Sequence, residues 1–134
     1  MTTMKPELLA PAGNMKKLKT AFYYGADAVY LGGKRFSLRT FADNFTEAEL
    51  SAAVEYAHAR GKKVYVCANI FAKNADVSAL EAHFRFLETI GADAVLISDL
   101  GVFRLCRRVA PRLPVHVSTQ ANTLNREAAA MWRD

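Results

Sequence analysis

Polar side chains near the end of the chain have the spacing of a binding surface on a β-strand. The stretch PVHVSTQANTLN, residues 114–125, starts with alternating valines and then becomes polar. With the two-residue period of a strand, one face would carry His116, Ser118, Gln120 and Asn122. A buried polar group without a partner costs roughly 1–3 kcal/mol. This face therefore either meets water at a sheet edge or lines a polar cavity, and the periodicity leaves both alternatives open.

Other polar residues follow the earlier apolar runs. Asn14 comes after ELLAPAG, Asn69 ends KKVYVCAN, and Asp99 follows AVLIS. Sites in parallel α/β proteins form where the strands end, so these residues are candidates as well. Asn14 and Asp99 also stand where helices begin, and helix capping is the simpler role for both.

Three candidate catalytic residues, Ser118, His116 and Asp99, have the side chains of a Ser-His-Asp hydrolase. The pattern is weak, because His116 and Ser118 are two residues apart on one strand and no nucleophile elbow is present. A buried neutral histidine is the favoured interpretation of His116, whereas His58 and His83 are expected to be solvated. The sequence contains no GxGxxG, GxxxxGK[ST] or HExxH motif, which removes support for dinucleotide, P-loop and zincin chemistry.

Cys67 and Cys106 are the two cysteines. They could hold an iron–sulfur cluster only with two further ligands, and the sequence shows none at suitable spacing. Reduced thiols in a bacterial-type cytoplasm are the simplest interpretation.

The elements that must position these residues follow from an internal repeat. YGADAVYLGG at 24–33 is echoed by IGADAVLISD at 90–99, and RGKKVYVCAN at 60–69 has a similar pattern. A glycine that ends a helix and a short β-rich run are typical of buried parallel strands. Asp27 and Asp93 occupy matching repeat positions and are expected to be structural. With Glu7, Lys62 and Lys63, they look like ordinary surface charge.

Helix start signals lie between the strands. Asn14 and Asp99 can act as caps, and Thr46 with Glu49 forms a capping box. Asp76 or Ser78 can start the third helix, and Asn125 can start the last. The predicted strands are 8–10, 28–31, 63–70, 94–97 and 115–119.

The order is therefore a strand followed by a helix, five times over, which predicts an α/β protein with parallel strands. We expect residues 1–134 to form one domain that is part of a TIM-like (β/α) barrel, an architecture that normally needs ~250 residues. The alternative is a complete five-stranded doubly wound sheet. The segment 32–45 is long for a strand-to-helix loop, and such loops are often functional.

Composition limits the class of protein. The net charge of +5 permits a polyanionic partner without requiring one. No apolar run is long enough to span a membrane, and no signal peptide is visible, so we expect a cytoplasmic protein without a membrane partner.

Five ordered blocks resemble peptidase family U32, the collagenase-like peptidase family. They are ELLAPAGNMKKLKTAFYYGADAVYLGGKRFSLR, NFTEAEL, AVEYAHARGKKVYVCANIF, GADAVLISDLGV and PVHVSTQANTLN. The resemblance is to the amino-terminal half of longer proteins, and it implies a parallel α/β barrel.

The resemblance implies two activities. Some members were named proteases or collagenases without an agreed catalytic type. Others resemble factors for the oxygen-independent hydroxylation of tRNA wobble uridine, ribosomal RNA or a ubiquinone precursor, and the blocks YGADAVYLGG and HVSTQAN are most similar to the tRNA branch. The implied partners are tRNA and, in that branch, prephenate.

The resemblance also suggests site residues. Nine positions match recurrent polar positions of the family, namely Asn14, Tyr30, Arg39, Asn44, Asn69, Asp99, Ser118, Gln120 and Asn122. All except Asp99 are predicted to bind substrate, with Arg39 pairing an anionic group. The implied 4Fe-4S cluster would be held by cysteines beyond residue 134. This chain alone is therefore expected to lack the cluster and to be inactive, and open barrel edges would favour self-association.

Overall fold

The computed structural model describes residues 5–38 and 43–133 of the chain. Five strands alternate with five α-helices along the sequence. The strands are β1 (Leu9–Pro11), β2 (Ala28–Gly32), β3 (Lys63–Cys67), β4 (Ala94–Ile97) and β5 (Val115–Val117). The helices are α1 (Met15–Tyr23), α2 (Glu47–His58), α3 (Val77–Ile90), α4 (Leu100–Val109) and α5 (Arg126–Arg133).

Four of the five predicted helix starts are confirmed by side-chain caps, whereas Asp76 precedes α3 without a side-chain cap hydrogen bond. The Asn14 side chain accepts a hydrogen bond from the Lys17 backbone N–H at 2.9 Å. Thr46 and Glu49 form the reciprocal capping box of α2. Each cap satisfies N–H groups that the first helical turn leaves unpaired, so these boundaries are local properties of the sequence.

All neighbouring strands are parallel, and their order in the sheet is β1-β2-β3-β4-β5. A doubly wound sheet reverses its strand order at a switch point. The unbroken order therefore overturns the doubly wound alternative and fits consecutive units of a (β/α) barrel. The physical reason is that every right-handed connection advances in one direction, which keeps the helices on one side of the sheet.

The two faces of the sheet are buried in different ways. Residues such as Val29, Val64 and Val95 pack with α1 to α4 in one large apolar core. The opposite face carries a smaller cluster around Ala28, Tyr65 and Ala94, which corresponds to the inner face of a barrel. Among the helices of the described residues, none has the length and apolar character that crossing a membrane requires.

The third and fifth strands are shorter than predicted. β3 ends at Cys67 rather than at residue 70, and β5 ends at Val117. Thr119–Ala121 forms a 3-10 turn, and Asn122 closes it in the left-handed region at φ 54°. The two-residue period therefore stops near Ser118, so Gln120 and Asn122 do not continue a strand face.

Candidate functional site

The carboxyl ends of β3 and β5 bring three predicted residues into one cluster, which we call the polar cluster: Asn69, Ser118 and Gln120. The Asn69 side-chain NH₂ donates to Gln120 Oε1 at 3.1 Å, and the Ser118 hydroxyl donates to the same oxygen. Asn69 and Ser118 are only 9% and 7% exposed. The third and fifth strand ends are therefore joined through one amide oxygen.

The polar cluster also reaches the long loop after β2. Asn69 Oδ1 accepts a hydrogen bond from the Leu38 backbone N–H at 3.4 Å. The base of that loop is fixed by a parallel bridge between Gly33 and Phe45. Asn69 therefore couples the loop to the sheet, in addition to holding Gln120.

The arrangement can bind and orient a ligand. Both donors point at the Gln120 carbonyl, which leaves the Gln120 NH₂ without a hydrogen-bond partner in the described part of the chain. Since Gln120 is exposed, this NH₂ can donate to a carbonyl or phosphate oxygen. The Ser118 proton is already used, so the cluster does not present an activated nucleophile.

A second group forms at the ends of β1 and β2, where Asn14 and Asn44 line a cavity of about 420 Å³. The Asn14 NH₂ donates to Asp43 Oδ2 at 3.2 Å. Lys34 and Glu49 complete the charged lining. Lys34 and Asp43 were not predicted as site residues from the sequence. They lie two and eleven residues after the end of β2, and this position inside the long loop was the available signal.

The capping box sets the charge of this cavity. The Thr46 backbone N–H and hydroxyl both donate to Glu49, and these bonds hold the pKa of the Glu49 carboxyl below its usual range. Glu49 is therefore an anion engaged in the helix start. Asp43 is the second carboxylate of the lining, and Lys34 is its cation.

The remaining predicted residues lie elsewhere. Tyr30 is on the inner sheet face beside Tyr65 and Leu96. Asp99 caps α4 by accepting from the Val102 N–H at 2.8 Å, outside the polar cluster. Asn122 lines a cavity of about 490 Å³ next to α5, and Ser118 of the polar cluster lines the same cavity. Arg39 lies outside the described residues.

The three candidate catalytic residues do not form a triad. His116 is exposed, and its ring lies edge-on to Tyr65 at 4.6 Å between centroids. Within residues 5–38 and 43–133, no hydrogen bond joins His116 to Ser118 or to Asp99. The expectation of a buried His116 was wrong, because β5 stands at the edge of the sheet.

The charged residues at the amino ends of the strands make specific hydrogen bonds, whereas ordinary surface charge was expected there. Asp27 accepts a hydrogen bond from the Leu8 N–H at 2.9 Å, and Asp93 accepts one from the Val64 N–H at 2.8 Å. Each repeated aspartate thus binds the backbone of the preceding strand, as a structural role requires. The Leu8 N–H lowers the pKa of Asp27.

A further contact at this edge reaches the inner face. The Tyr65 hydroxyl and the Lys63 ammonium both donate to the Glu7 carboxylate, the latter at 2.9 Å. Together they hold the pKa of Glu7 below its ordinary value, with the Tyr65 bond as the larger cause. The alternation of KVYVC predicts the inner-face position of Tyr65, but it does not predict that Glu7 is its hydrogen-bond partner.

The cysteines do not fit an iron–sulfur cluster. Cys106 belongs to the helix-side core, whereas Cys67 alternates with Val64 and Val66 and lies on the other face of β3. Burial raises the pKa of the Cys106 thiol to about 11, which opposes the thiolate form that a cluster needs. The described residues also contain no group of three or more potential metal ligands.

Comparisons with known proteins agree on one family. A family model described as Peptidase family U32 matches residues 13–134. The chain is 46% identical to tRNA hydroxylation protein P1 of Bacillus subtilis, over 98% of the chain and 31% of that protein. It is 42% identical to a protein of Methanocaldococcus jannaschii named an uncharacterized protease, over 94% of the chain and 30% of that protein.

A solved structure of a U32 peptidase has a similar fold. It superposes with a TM-score of 0.77 at 16% identity, covering 99% of this chain and 56% of the solved one. The similarity extends to all five βα units. The chain spans about a third of the length of the curated relatives it matches.

Proposed function

The chain belongs to peptidase family U32, and from this premise we propose that it takes part in the hydroxylation of tRNA, at wobble uridine or a related RNA base. The observation that carries the proposal is the 46% identity to a tRNA hydroxylation protein across 98% of the chain. Because the relatives are longer, we further propose that the five units are the amino-terminal part of a larger barrel in the active protein.

The polar cluster would contribute positioning. The Gln120 NH₂ faces solvent while its carbonyl is fixed by Asn69 and Ser118. A fixed amide donor suits a uracil-type carbonyl, and fixed donors lose little entropy when a ligand binds. In this proposal Gln120 contacts the base, whereas Asn69 and Ser118 are positioning residues.

The cavity lined by Asn14, Asn44 and Lys34 would bind a small organic acid such as prephenate. The Lys34 ammonium provides a charged donor for a carboxylate, although the carboxylates of Asp43 and Glu49 share the lining and oppose a second anion. The volume of about 420 Å³ is within the usual range for small ligands. Arg39 remains a candidate to pair with the same anion. Binding can be measured by calorimetry with prephenate, comparing wild type with Lys34→Gln. Equal affinities would contradict this assignment.

The reaction is tested in the source organism. We expect deletion of the gene to abolish hydroxylated wobble uridine, measured by mass spectrometry of digested tRNA. Complementation with the wild-type gene should restore it, and Gln120→Ala should restore it only weakly. Arg126→Ala is the matched control, since Arg126 is exposed and its guanidinium bonds the adjacent Glu127, its one partner in the described part of the chain. An unchanged modification profile after deletion would refute the proposal.

A peptidase is the second candidate, favoured by the protease name of the Methanocaldococcus jannaschii relative. The proposal would need Ser118 to leave Gln120 and engage a base. Casein and collagen cleavage by the protein, with Ser118→Ala and Asp99→Asn as variants, tests it. Activity that survives both substitutions removes these residues as catalytic candidates.

Three further expectations accompany the main proposal. We place the protein in the cytoplasm, where tRNA is available. An iron–sulfur cluster would be held by cysteines outside these residues in the longer proteins. The isolated chain would be inactive and would self-associate through β1 and β5, the two edge strands of the described sheet. A monomer in size-exclusion chromatography would contradict the self-association.

A further inference from the structure

A basic cavity lies on the outer side of the fold, apart from both groups described above. It has a volume of about 580 Å³ and lies between α4 and the segment that links β3 to α3. Its cationic lining is Lys73, Arg104 and Arg108. We call it the basic cavity. Its distinguishing feature is that three cations line one concave surface.

The cations have little internal compensation. Arg104 and Arg108 are four residues apart on α4, so they share one helix face. Among the described residues, Lys73 and Arg104 make no ion pair. Arg108 lies 3.9 Å from Glu81, which already binds Arg85 at 3.0 Å. The positive charge of the cavity is therefore available to an external anion.

Two acidic groups near the cavity are occupied by backbone bonds. Asp99 lines the cavity, but its carboxylate accepts the Val102 N–H that starts α4. Asp76 accepts the Lys73 backbone N–H at 2.8 Å. Both carboxylates keep their negative charge, but the lining carries three cations against the one carboxylate of Asp99, so its net charge is positive.

An exposed aromatic side chain directly precedes the cavity lining along the chain. Phe71 is 82% exposed and directly precedes Ala72, which lines the cavity. It also lies two residues after Asn69 of the polar cluster. An aromatic ring next to a cationic groove is the combination with which proteins bind unpaired nucleotides, because bases stack on the ring while phosphates meet the cations.

We propose that Phe71 and the basic cavity form a docking surface for single-stranded RNA. A base would stack on Phe71, and the neighbouring phosphates would contact Lys73, Arg104 and Arg108. The surface would guide an unpaired RNA loop across the carboxyl end of β3 towards the polar cluster. This inference rests on the proposed function, since it assumes that the substrate is RNA.

Binding of fluorescently labelled tRNA to the chain, followed by anisotropy at several salt concentrations, tests the proposal. The charge variant is Arg104→Gln with Arg108→Gln, and its matched control is Lys16→Gln with Lys17→Gln on α1. Each lost phosphate contact should reduce the slope of log affinity against log salt by roughly 0.7. We expect a slope smaller by about 1.4 in the charge variant and an unchanged slope in the control.

The stacking contact has a different signature. Phe71→Ala should weaken binding roughly tenfold and leave the salt slope unchanged, because stacking releases no counterions. Tyr23→Ala is the matched control, since Tyr23 is 84% exposed and lies on α1. All substituted side chains are exposed, so circular dichroism should show an intact fold.

The outcomes separate this inference from the proposed function. Equal tRNA binding by wild type and both variants, or no tRNA binding by the wild type, overturns the docking surface. The docking surface would also be overturned if inorganic phosphate or polyglutamate bound as well as tRNA and lost affinity in the same variants. The site would then be a general anion site. Variant-sensitive tRNA binding with an unchanged modification profile after gene deletion would refute the hydroxylation proposal and leave the docking surface standing.

Discussion

The buried side chain of His83 should make the stability of the fold depend on pH. His83 lies on α3, is 6% exposed, and its ring centroid is 5.0 Å from that of Phe36. Its Nε2 has no hydrogen-bond partner among the described residues. This burial, assisted by the positive charge of Arg35, lowers the pKa of His83 from 6.5 to about 4.

The sign and size of the effect follow from proton binding. As the pH falls below 6.5, the unfolded chain binds a proton on His83 but the folded chain does not until near pH 4. Stability is therefore complete above pH 6.5 and is lost on acidification. The full difference corresponds to roughly 3 kcal/mol, of which about 2 kcal/mol is lost between pH 7 and pH 5.

Carboxyl groups do not obscure this window. Hydrogen bonds in the folded state lower the pKa values of Glu7, Glu49, Glu88 and Asp27, whose ordinary values are 4.5 or less. Their contribution is present above those ordinary values and is lost only as the pH falls below them. A comparison of pH 7 with pH 5 therefore reports mainly on the histidine.

Urea unfolding at pH 7 and pH 5 provides the measurement. Between pH 7 and pH 5, we expect the free energy of unfolding of the wild type to fall by about 2 kcal/mol more than that of the His83→Leu variant. Leucine keeps the site apolar and cannot bind a proton. His116→Gln is the control, since His116 is exposed, and it should lose as much stability as the wild type. An equal loss in His83→Leu and wild type would refute the burial argument.

Three other experiments give direct tests: a glycine substitution, a pair of cap substitutions and a labelling of Cys106. Gly32→Ala should destabilise the fold by about 1–3 kcal/mol in urea unfolding, because a Cβ there would lie 2.5 Å from Ser37 Oγ; an unchanged midpoint would contradict the close approach. Thr46→Ala should cost about 1 kcal/mol by loss of the α2 cap, and Glu49→Gln, which retains an acceptor for the reciprocal bond, should cost less. Cys106 should resist iodoacetamide at pH 8 until urea is added, because burial raises its pKa to about 11; rapid labelling of the folded chain, followed by mass spectrometry, would argue against that burial.

The sequence predicted only part of the candidate site. The sequence placed Asn69, Ser118 and Gln120 near strand ends, and the structure joins them by hydrogen bonds. It also implied that Gln120 and Asn122 continue a polar strand face, which the 3-10 turn at Thr119–Ala121 overturns. Periodicity cannot show where a strand ends when the next residues tolerate both a strand and a turn.

His83 illustrates the same limit on a helix. Its position at the edge of the apolar stripe of α3 predicted a solvated side chain, but the loop after β2 folds over it and brings Phe36 against the ring. The burial of a helix residue depends on what covers the helix. In this case the cover is a segment about fifty residues earlier in the chain.

The sequence by itself determined the five βα units, the helix caps and the parallel strands. These depend on contacts within a few residues, as with Asn14 and the Lys17 N–H, or on a repeated pattern. Only the tertiary structure decided the sequential strand order, the division of the polar residues into two groups, and the exposure of His116. Such features depend on which distant segments meet, as when Asn69 reaches Gln120 across 51 positions, and local propensities do not encode them.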